Sequence, residues 1–400
     1  MPMDLKVVTD TQDLAAICRA YAAAPYVTVD TEFMRERTYW PVLCLVQLGR
    51  PRFEGESDEA WAREGAVIID PLADGISLDP LFELMADQNV LKVFHAARQD
   101  VEIFHNLAGA VPVPLYDTQV AAMVCGYGDQ VGYETLVRKI VNASLDKSSR
   151  FTDWSRRPLS EKQLHYAVGD VTHLREIYEA LSERVARAER TKWVAEEMNI
   201  LTDPATYVTE PADAWKRLKM RNPNAKLHAT ASALAAWREQ EAQRRNVPRN
   251  RIIKDDAIME LAASRPNTVE GLNKSRLLTR DNRSGDAATG ILAAIAAAQS
   301  GAGPDMPNPK DSVRPNAGQT ALAELLRTLL RAKAADADVA PRLIASTADL
   351  DRLAIEAKPE NLAALQGWRR EVFGEDALRL KRGEIALSAG PQGVHVVDLK

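Results

Sequence analysis

The strongest constraint on the fold of this chain is a change of pattern near residue 205. Before it, short apolar runs rich in β-branched residues (YVTVDTEF, CLVQLG, AVIID, VLKVFH) alternate with segments of helical period such as TDTQDLAAICRAYAAA and ARQDVEIFHNLAG. The short runs suit strands, and the interleaved segments suit helices laid on a sheet. Adjacent strands first, then strands alternating with helices, predict an α/β layer with a mixed sheet. Thr11 or Asp10 is placed to cap the first helix and Ser160 the long LSEKQLHYAVGDVTHLREIYEALSERVAR helix.

Beyond residue 205, PADAWKRLKM, HATASALAAWREQEAQRRN, DDAIMELAAS and AATGILAAIAAAQ are amphipathic segments divided by Pro, Asn and Gly, which predicts a helical domain. QSGAGPDMPNPKDSVRPNAGQ has no apolar period and reads as a linker. A second helical set follows in ALAELLRTLLRAKAADA, STADLDRLAIEA and LAALQGWRREVFG. Ala-Trp-Arg-Glu at 236–239 and Gly-Trp-Arg-Arg at 367–370 suggest a degenerate duplication of one small helical domain. The tail IALSAGPQGVHVVDL alternates about Gly-Pro-Gln-Gly, the pattern of a hairpin.

Four acids stand at the edges of apolar segments in the first 170 residues: Asp30, Glu32, Asp100 and Asp170. A carboxylate there is costly unless it gains a partner. Asp30 and Glu32 are two apart on a strand and leave the same face of the sheet. Asp100 opens a helix, where the macrodipole alone would stabilise it. Tyr166 and Asp170 are four apart on one helix face. Taken singly each has an ordinary structural explanation. Converging on one cleft, four carboxylates would repel one another unless divalent cations neutralised them, and two cations side by side suit displacement at a phosphodiester. His95, His165 and His173 have no zinc spacing, and oxygen ligands suit Mg²⁺ or Mn²⁺ better. His165 adjoins Tyr166 and is expected to point elsewhere. Asp117, at a strand-to-helix transition in LYDTQ, reads as structural.

Charge divides along the chain. Residues 1–205 carry 21 Lys and Arg against 32 Asp and Glu, a net −11, whereas residues 206–300 carry 16 against 10, a net +6. A basic domain beside an acidic one suits a phosphate-binding role, since backbone contacts come mainly from Lys and Arg. Cys18, Cys44 and Cys125 have no ligand spacing and read as small core residues of a reducing compartment. No apolar run has the length of a membrane span, and the N-terminus lacks a signal-peptide pattern, so the expectation is a cytoplasmic protein with no membrane partner.

In order, D-T-E-F on a strand, H-A-x-x-x-D and Y-x-x-x-D on a helix resemble the DEDD exonuclease superfamily in its tyrosine-containing form. DTEFMRERTYWPVLCLVQLG, FHAARQDVEIF, LYDTQVAAM and LDKSSRFTDWSRRPLSEKQLHYAVGDV are similar to the bacterial ribonuclease D family. LAAWREQEAQRRNVPRNRII and ASRPNTVEGL, and more loosely LQGWRREVFG, resemble its two helicase-and-RNase-D C-terminal (HRDC) domains. The resemblance spans nearly the whole chain. It implies a ribonuclease H-like mixed sheet with flanking helices over 1–205, an all-α HRDC domain over 206–298, a linker over 299–318, a second, degenerate HRDC domain over 319–382 and a tail over 383–400.

The implied activity is a metal-dependent 3′–5′ exoribonuclease that releases nucleoside 5′-monophosphates, with tRNA precursors and other small structured RNAs as substrates, acting as a monomer. The resemblance implies two Mg²⁺ or Mn²⁺ ions. Asp30 would bridge them, Glu32 and Asp170 would help hold the ion that carries the attacking water, and Asp100 would hold the second. Tyr166 would orient or deprotonate the nucleophile; with an unperturbed phenol pKa of about 10, orientation is the better expectation. Candidate RNA contacts are Phe33 and Trp40, which could stack on terminal bases, His95, the basic Lys147, Arg150, Arg156 and Arg157 before the Tyr166 helix, and the cluster Arg244, Arg245, Arg249, Arg251 and Lys254. Trp237 and Trp368 read as core anchors of the helical domains. Two alternatives stay open: a nucleic-acid-binding protein on a nuclease-like fold, and the same chemistry on DNA.

Overall fold

A computed structural model describes residues 6–145, 152–220, 223–301, 315–359, 361–391 and 393–399. The chain forms two compact units, one from Met1–Glu32, Cys44–Thr206 and Val313–Lys400, the other from Phe33–Leu43 and Tyr207–Ser312. Lys147, Arg150 and most of the 299–318 linker lie outside the described residues.

The first unit is built on a six-stranded sheet of β1 (Val7–Val8), β2 (Tyr26–Met34), β3 (Val42–Gly49), β4 (Ala66–Ile69), β5 (Leu91–Phe94) and β6 (Leu115–Asp117), in the order β1-β4-β3-β2-β5-β6. β1 pairs with β4, β2 with β5 and β5 with β6 in parallel, while β3 and β4 are antiparallel, so the sheet is mixed. Val27, Val29, Leu45, Ile68, Val93 and Phe94 are fully buried, which explains the unbroken apolar runs of these strands. The flanking helices are α1 (Thr11–Tyr21), α2 (Asp58–Glu64), α3 (Asp79–Ala86), α4 (Arg98–Ala108), α5 (Thr118–Val124), α6 (Glu161–Arg187) and α7 (Thr191–Thr202). Asp10, rather than Thr11, caps α1, accepting from the amides of Gln12 and Asp13. Ser160 and Gln163 form a reciprocal capping box at the start of α6. α4 ends at Gly109, whose φ of 70° is the left-handed conformation glycine adopts without penalty. The three cysteines are buried.

The C-terminal helices Ala317–Asp336, Thr347–Ile355 and Glu375–Arg382 belong to this same unit. Their own core contains Leu326, Leu329, Leu353 and Phe373. LQGWRREVFG is helical from Gly367: Gly367–Arg369, a π-helical segment at Arg370–Gly374 and Glu375–Arg382 run on without interruption, and a separate 3₁₀ turn, Ala363–Leu365, precedes them. Trp368, in the first turn of that helix, stacks on Trp193 of α7, centroids 4.5 Å apart and planes 11° from parallel. Beside it Arg369 pairs with buried Glu197, also of α7. Arg190 donates to the carbonyls of Val124 (2.8 Å) and Asp338 (3.0 Å), and the Ala340 amide donates to Met123 O at 2.9 Å. Despite the linker before them, these helices are thus fastened to the sheet-bearing part. The chain then forms an antiparallel hairpin of β7 (Ile385–Gly390) and β8 (Gly393–Asp398).

In the second unit a long helix, Ala225–Arg245, packs with Asp255–Ser264 and Gly285–Gln299 around Leu234, Ile258, Leu261 and Ile291. PADAWKRLKM is not an amphipathic α-helix: Pro211–Arg217 is a 3₁₀ helix. Only seven residues lie between Glu210 and Leu218, and the tighter winding sets Trp215 edge-on to the buried His228 ring at 4.7 Å. Trp237 is half-buried against Gly290, where an added Cβ would lie 2.2 Å from the indole nitrogen. The segment 33–43 joins this unit. Tyr39 donates its hydroxyl to buried Glu239 at 2.5 Å, and Asn246 accepts from the amides of Tyr39 and Trp40 at 3.1 and 3.0 Å.

Candidate active site

Strand alternation sends Asp30 and Glu32 off the same face of β2, and α6 brings Asp170 to them. One carboxylate oxygen from each of the three lies within 4.8 Å of the others. Asp100, in the first turn of α4, is outside that trio; it is buried and accepts a hydrogen bond from the Thr31 hydroxyl between the two β2 acids. For Asp30, Glu32 and Asp100 burial is the largest influence. Burial and then Asp170 raise the pKa of Asp30, against a backbone hydrogen bond at Thr31. Burial, followed by Asp30, Asp170 and Asp100, pushes Glu32 up to about 10. Burial and then Asp30 raise Asp100, against the Thr31 hydroxyl. Such a group of carboxylates holds protons where it would ordinarily be ionised, and a hard cation would reverse that preference. The donor set is all oxygen, as Mg²⁺ and Mn²⁺ require.

The scaffold around the acids is specific. Thr28, two residues before Asp30, donates to the carbonyl of Val171, next to Asp170, at 2.8 Å. Gly49 on β3 permits this close passage of α6: a Cβ there would lie 2.4 Å from Thr28 Oγ1 and 3.2 Å from Val171 O. Tyr133 donates to the carbonyl of Asp170 at 2.6 Å, with Gly169 O at 3.1 Å. Tyr166, one turn before Asp170, is half-buried, with its ring centroid 6.1 Å from that of Trp154. A cavity of about 310 Å³ is lined by Tyr166, Lys162, His165, Gly169 and His173. His165 is exposed and also lines this cavity, and its Nδ1 lies 2.7 Å from Glu161 O, one turn back on the same helix.

The candidate RNA contacts fare differently. Arg156 is 84% exposed at its side chain and 3.4 Å from Asp153. Arg157 was expected beside it on the substrate path but is turned inward. It grips Asp70 with Nε and Nη2 (2.6 and 2.7 Å) and also donates to Cys44 O and Trp154 O. Those donors are committed, so the guanidinium acts as an internal strut. The His95 ring sits 3.0 Å from the Thr118 hydroxyl and 5.4 Å from the Tyr133 ring centre, and burial lowers its pKa. In the second unit lie Phe33 and Trp40; there Arg244 pairs with Glu241 at 2.8 Å, and Arg245, Arg249, Arg251 and Lys254 are exposed.

Thr28, Thr31 and Tyr133 support the site without standing out in the sequence. The two threonines carried a signal: hydroxyls in a buried strand must find acceptors. Tyr133 carried none, because its acceptors belong to a helix more than thirty residues away.

Residues 5–186 match the 3′–5′ exonuclease family, and residues 228–295 match the HRDC domain. Sheet, acidic cluster and helical domain together define a 3′–5′ exonuclease carrying an HRDC domain. The ribonuclease D of Jannaschia sp. (strain CCS1) is 56% identical over 392 residues, covering 98% of this chain and 99% of the relative. That of Acidiphilium cryptum (strain JF-5) is 52% identical over 396 residues, 98% and 97% of the two chains. The crystal structure of Escherichia coli RNase D, an exoribonuclease involved in structured RNA processing, matches with a TM-score of 0.79 at 28% identity, covering 95% of this chain and 99% of that one. The chain belongs to the ribonuclease D family of 3′–5′ exoribonucleases.

Proposed function

We propose that the protein removes nucleotides one at a time from the 3′ ends of tRNA precursors and other small structured RNAs, releasing nucleoside 5′-monophosphates, with two Mg²⁺ or Mn²⁺ ions. The observation that carries this reading is the convergence of Asp30, Glu32 and Asp170 within 4.8 Å, with Asp100 tied to the same strand through Thr31. Asp30, Glu32 and Asp170 would hold one ion, with Asp30 and Asp100 serving the other. When bound, the ions supply the positive charge that offsets the acids and the phosphodiester and acidify the attacking water. Tyr166, one helical turn from Asp170, would orient the attacking water as a hydrogen-bonding hydroxyl. Lys162, His165 and His173, which line the Tyr166 cavity, would be the side chains to meet the RNA backbone there.

Arg156 and the exposed Arg245, Arg249, Arg251 and Lys254 supply phosphate contacts, with Phe33 and Trp40 as stacking groups; Arg157 is left out because its donors are engaged. The helices of 319–382 are read as a second, degenerate HRDC domain, and the protein as a cytoplasmic monomer. No helix among the described residues is long and apolar enough to cross a membrane. Retention of all four acids and Tyr166 favours catalysis over a binding role alone. A tRNA precursor with a 3′ trailer and a matched DNA strand, each incubated with Mg²⁺, Mn²⁺ or EDTA, test the reading. Stepwise release of 5′-mononucleotides from the RNA, in either metal and not in EDTA, is expected. Equal trimming of the DNA moves the substrate class, and no release in either metal removes the catalytic reading.

A further inference from the structure

The turn that delivers Asp100 is held from outside its own segment. β5 ends at Phe94, and only three residues separate it from the start of α4 at Arg98. Ala96 in that turn has a φ of 59°, a left-handed conformation that alanine resists. Ala97 stands at the N-cap of α4 and has no side-chain acceptor to offer its first amides. The missing acceptor comes from the neighbouring strand. Asp117 ends β6 directly beside Phe94 in parallel register. It is 3% exposed, and its carboxylate accepts from Ala96 N at 3.0 Å and Ala97 N at 2.9 Å. The same carboxylate caps its own helix α5, accepting from Gln119 N at 2.7 Å and Val120 N at 3.4 Å. Its backbone amide is anchored on Met198 Sδ at 3.1 Å.

We propose that Asp117 is a positioning residue for metal binding: by clamping the Ala96–Ala97 turn it sets the first turn of α4 and so aims the Asp100 carboxylate at Asp30 and Thr31. The inference rests on the metal-site reading above. Groups that orient metal ligands from behind alter metal affinity by about 10- to 100-fold when removed. A residue that merely capped α5 would have no such effect.

Asp117→Ser separates the two roles. Serine is as good an N-cap for α5 as aspartate, but its shorter side chain does not span to Ala96 and Ala97. Asp117→Asn, nearly isosteric, keeps one acceptor oxygen and sets an amide donor against the opposing N–H groups. Mn²⁺ binding to the full-length protein, titrated by electron paramagnetic resonance of the free ion, is compared among wild type, both Asp117 variants and Asp30→Asn. Weakening of Mn²⁺ binding by about tenfold or more in both Asp117 variants is expected. Activity should recover at high Mn²⁺, with KM for RNA unchanged. Wild-type affinity in whichever Asp117 variant keeps a wild-type circular dichroism spectrum overturns the inference, provided Asp30→Asn is impaired. If wild type itself binds no Mn²⁺, the metal-site reading fails and takes this inference with it.

Discussion

Thr28 and Val171 are joined by a 2.8 Å hydrogen bond from the threonine hydroxyl to the valine carbonyl. One partner stands two residues from Asp30 and the other is next to Asp170, so the bond ties the strand and the helix that bring those two acids together. Thr28→Val keeps the shape and removes the donor. Loss of one buried hydrogen bond predicts a fall in stability of about 1 kcal/mol, together with a several-fold lower kcat at unchanged KM. Urea unfolding and steady-state kinetics on the same preparation check this; an unchanged kcat would show that the tie does not matter to the acids.

Glu197 and Arg369 form a buried ion pair between α7 and the C-terminal helices, with side-chain exposures of 7% and 11%. Burial raises the pKa of Glu197, and Arg369 opposes that rise. Arg369→Met should cost about 3–5 kcal/mol near pH 8, because it leaves an uncompensated carboxylate in the interior. Without the arginine, the folded-state pKa of Glu197 rises further above its unfolded value, so the folded protein binds the extra proton. Stability of the variant therefore falls as pH rises, and its deficit against wild type should shrink at pH 5. Denaturation curves at the two pH values decide it; an equal deficit at both rules out Glu197 as the cause.

Much of this site is legible in the sequence, and the rest is not, for physical reasons. The two-residue spacing of Asp30 and Glu32 on a β-branched run and the four-residue spacing of Tyr166 and Asp170 follow from local periodicity, as do the caps at Asp10 and Ser160. The inward turn of Arg157 is not local, because Asp70 lies 87 positions away. Nor is the docking of the C-terminal helices, which depends on the Trp193–Trp368 stack and on a Glu197–Trp368 hydrogen bond across 171 positions. A Pro- and Gly-rich stretch suggests freedom between domains, yet such contacts after it decide whether that freedom survives. Asp117 shows a third case: its N-cap role is visible in LYDTQ, while its grip on Ala96 and Ala97 needs the β5–β6 register.

Protons and divalent cations compete for the acidic cluster. In the metal-free protein Glu32 is pushed up to about 10, against about 4.3 for an unperturbed glutamate. Between those values the folded state holds a proton that the unfolded chain has released, so stability in EDTA falls as pH rises. Excess Mg²⁺ replaces the proton, and its stabilisation adds through preferential binding to the folded state. The gap in melting temperature between Mg²⁺ and EDTA should therefore widen from pH 6 to pH 8. A gap that stays constant over this range would mean that Mg²⁺ does not displace protons from these carboxylates.

The most direct measurement of the central claim compares wild type with Asp30→Asn on a 5′-labelled RNA, in Mg²⁺ and in Mn²⁺. Asparagine keeps the size of the side chain and removes the charge at the centre of the acidic cluster. The account predicts that the variant keeps wild-type folding and binds the RNA with near wild-type affinity. It should leave the labelled strand at full length in both metals, where wild type shortens it stepwise from the 3′ end. Wild-type shortening by Asp30→Asn would contradict it.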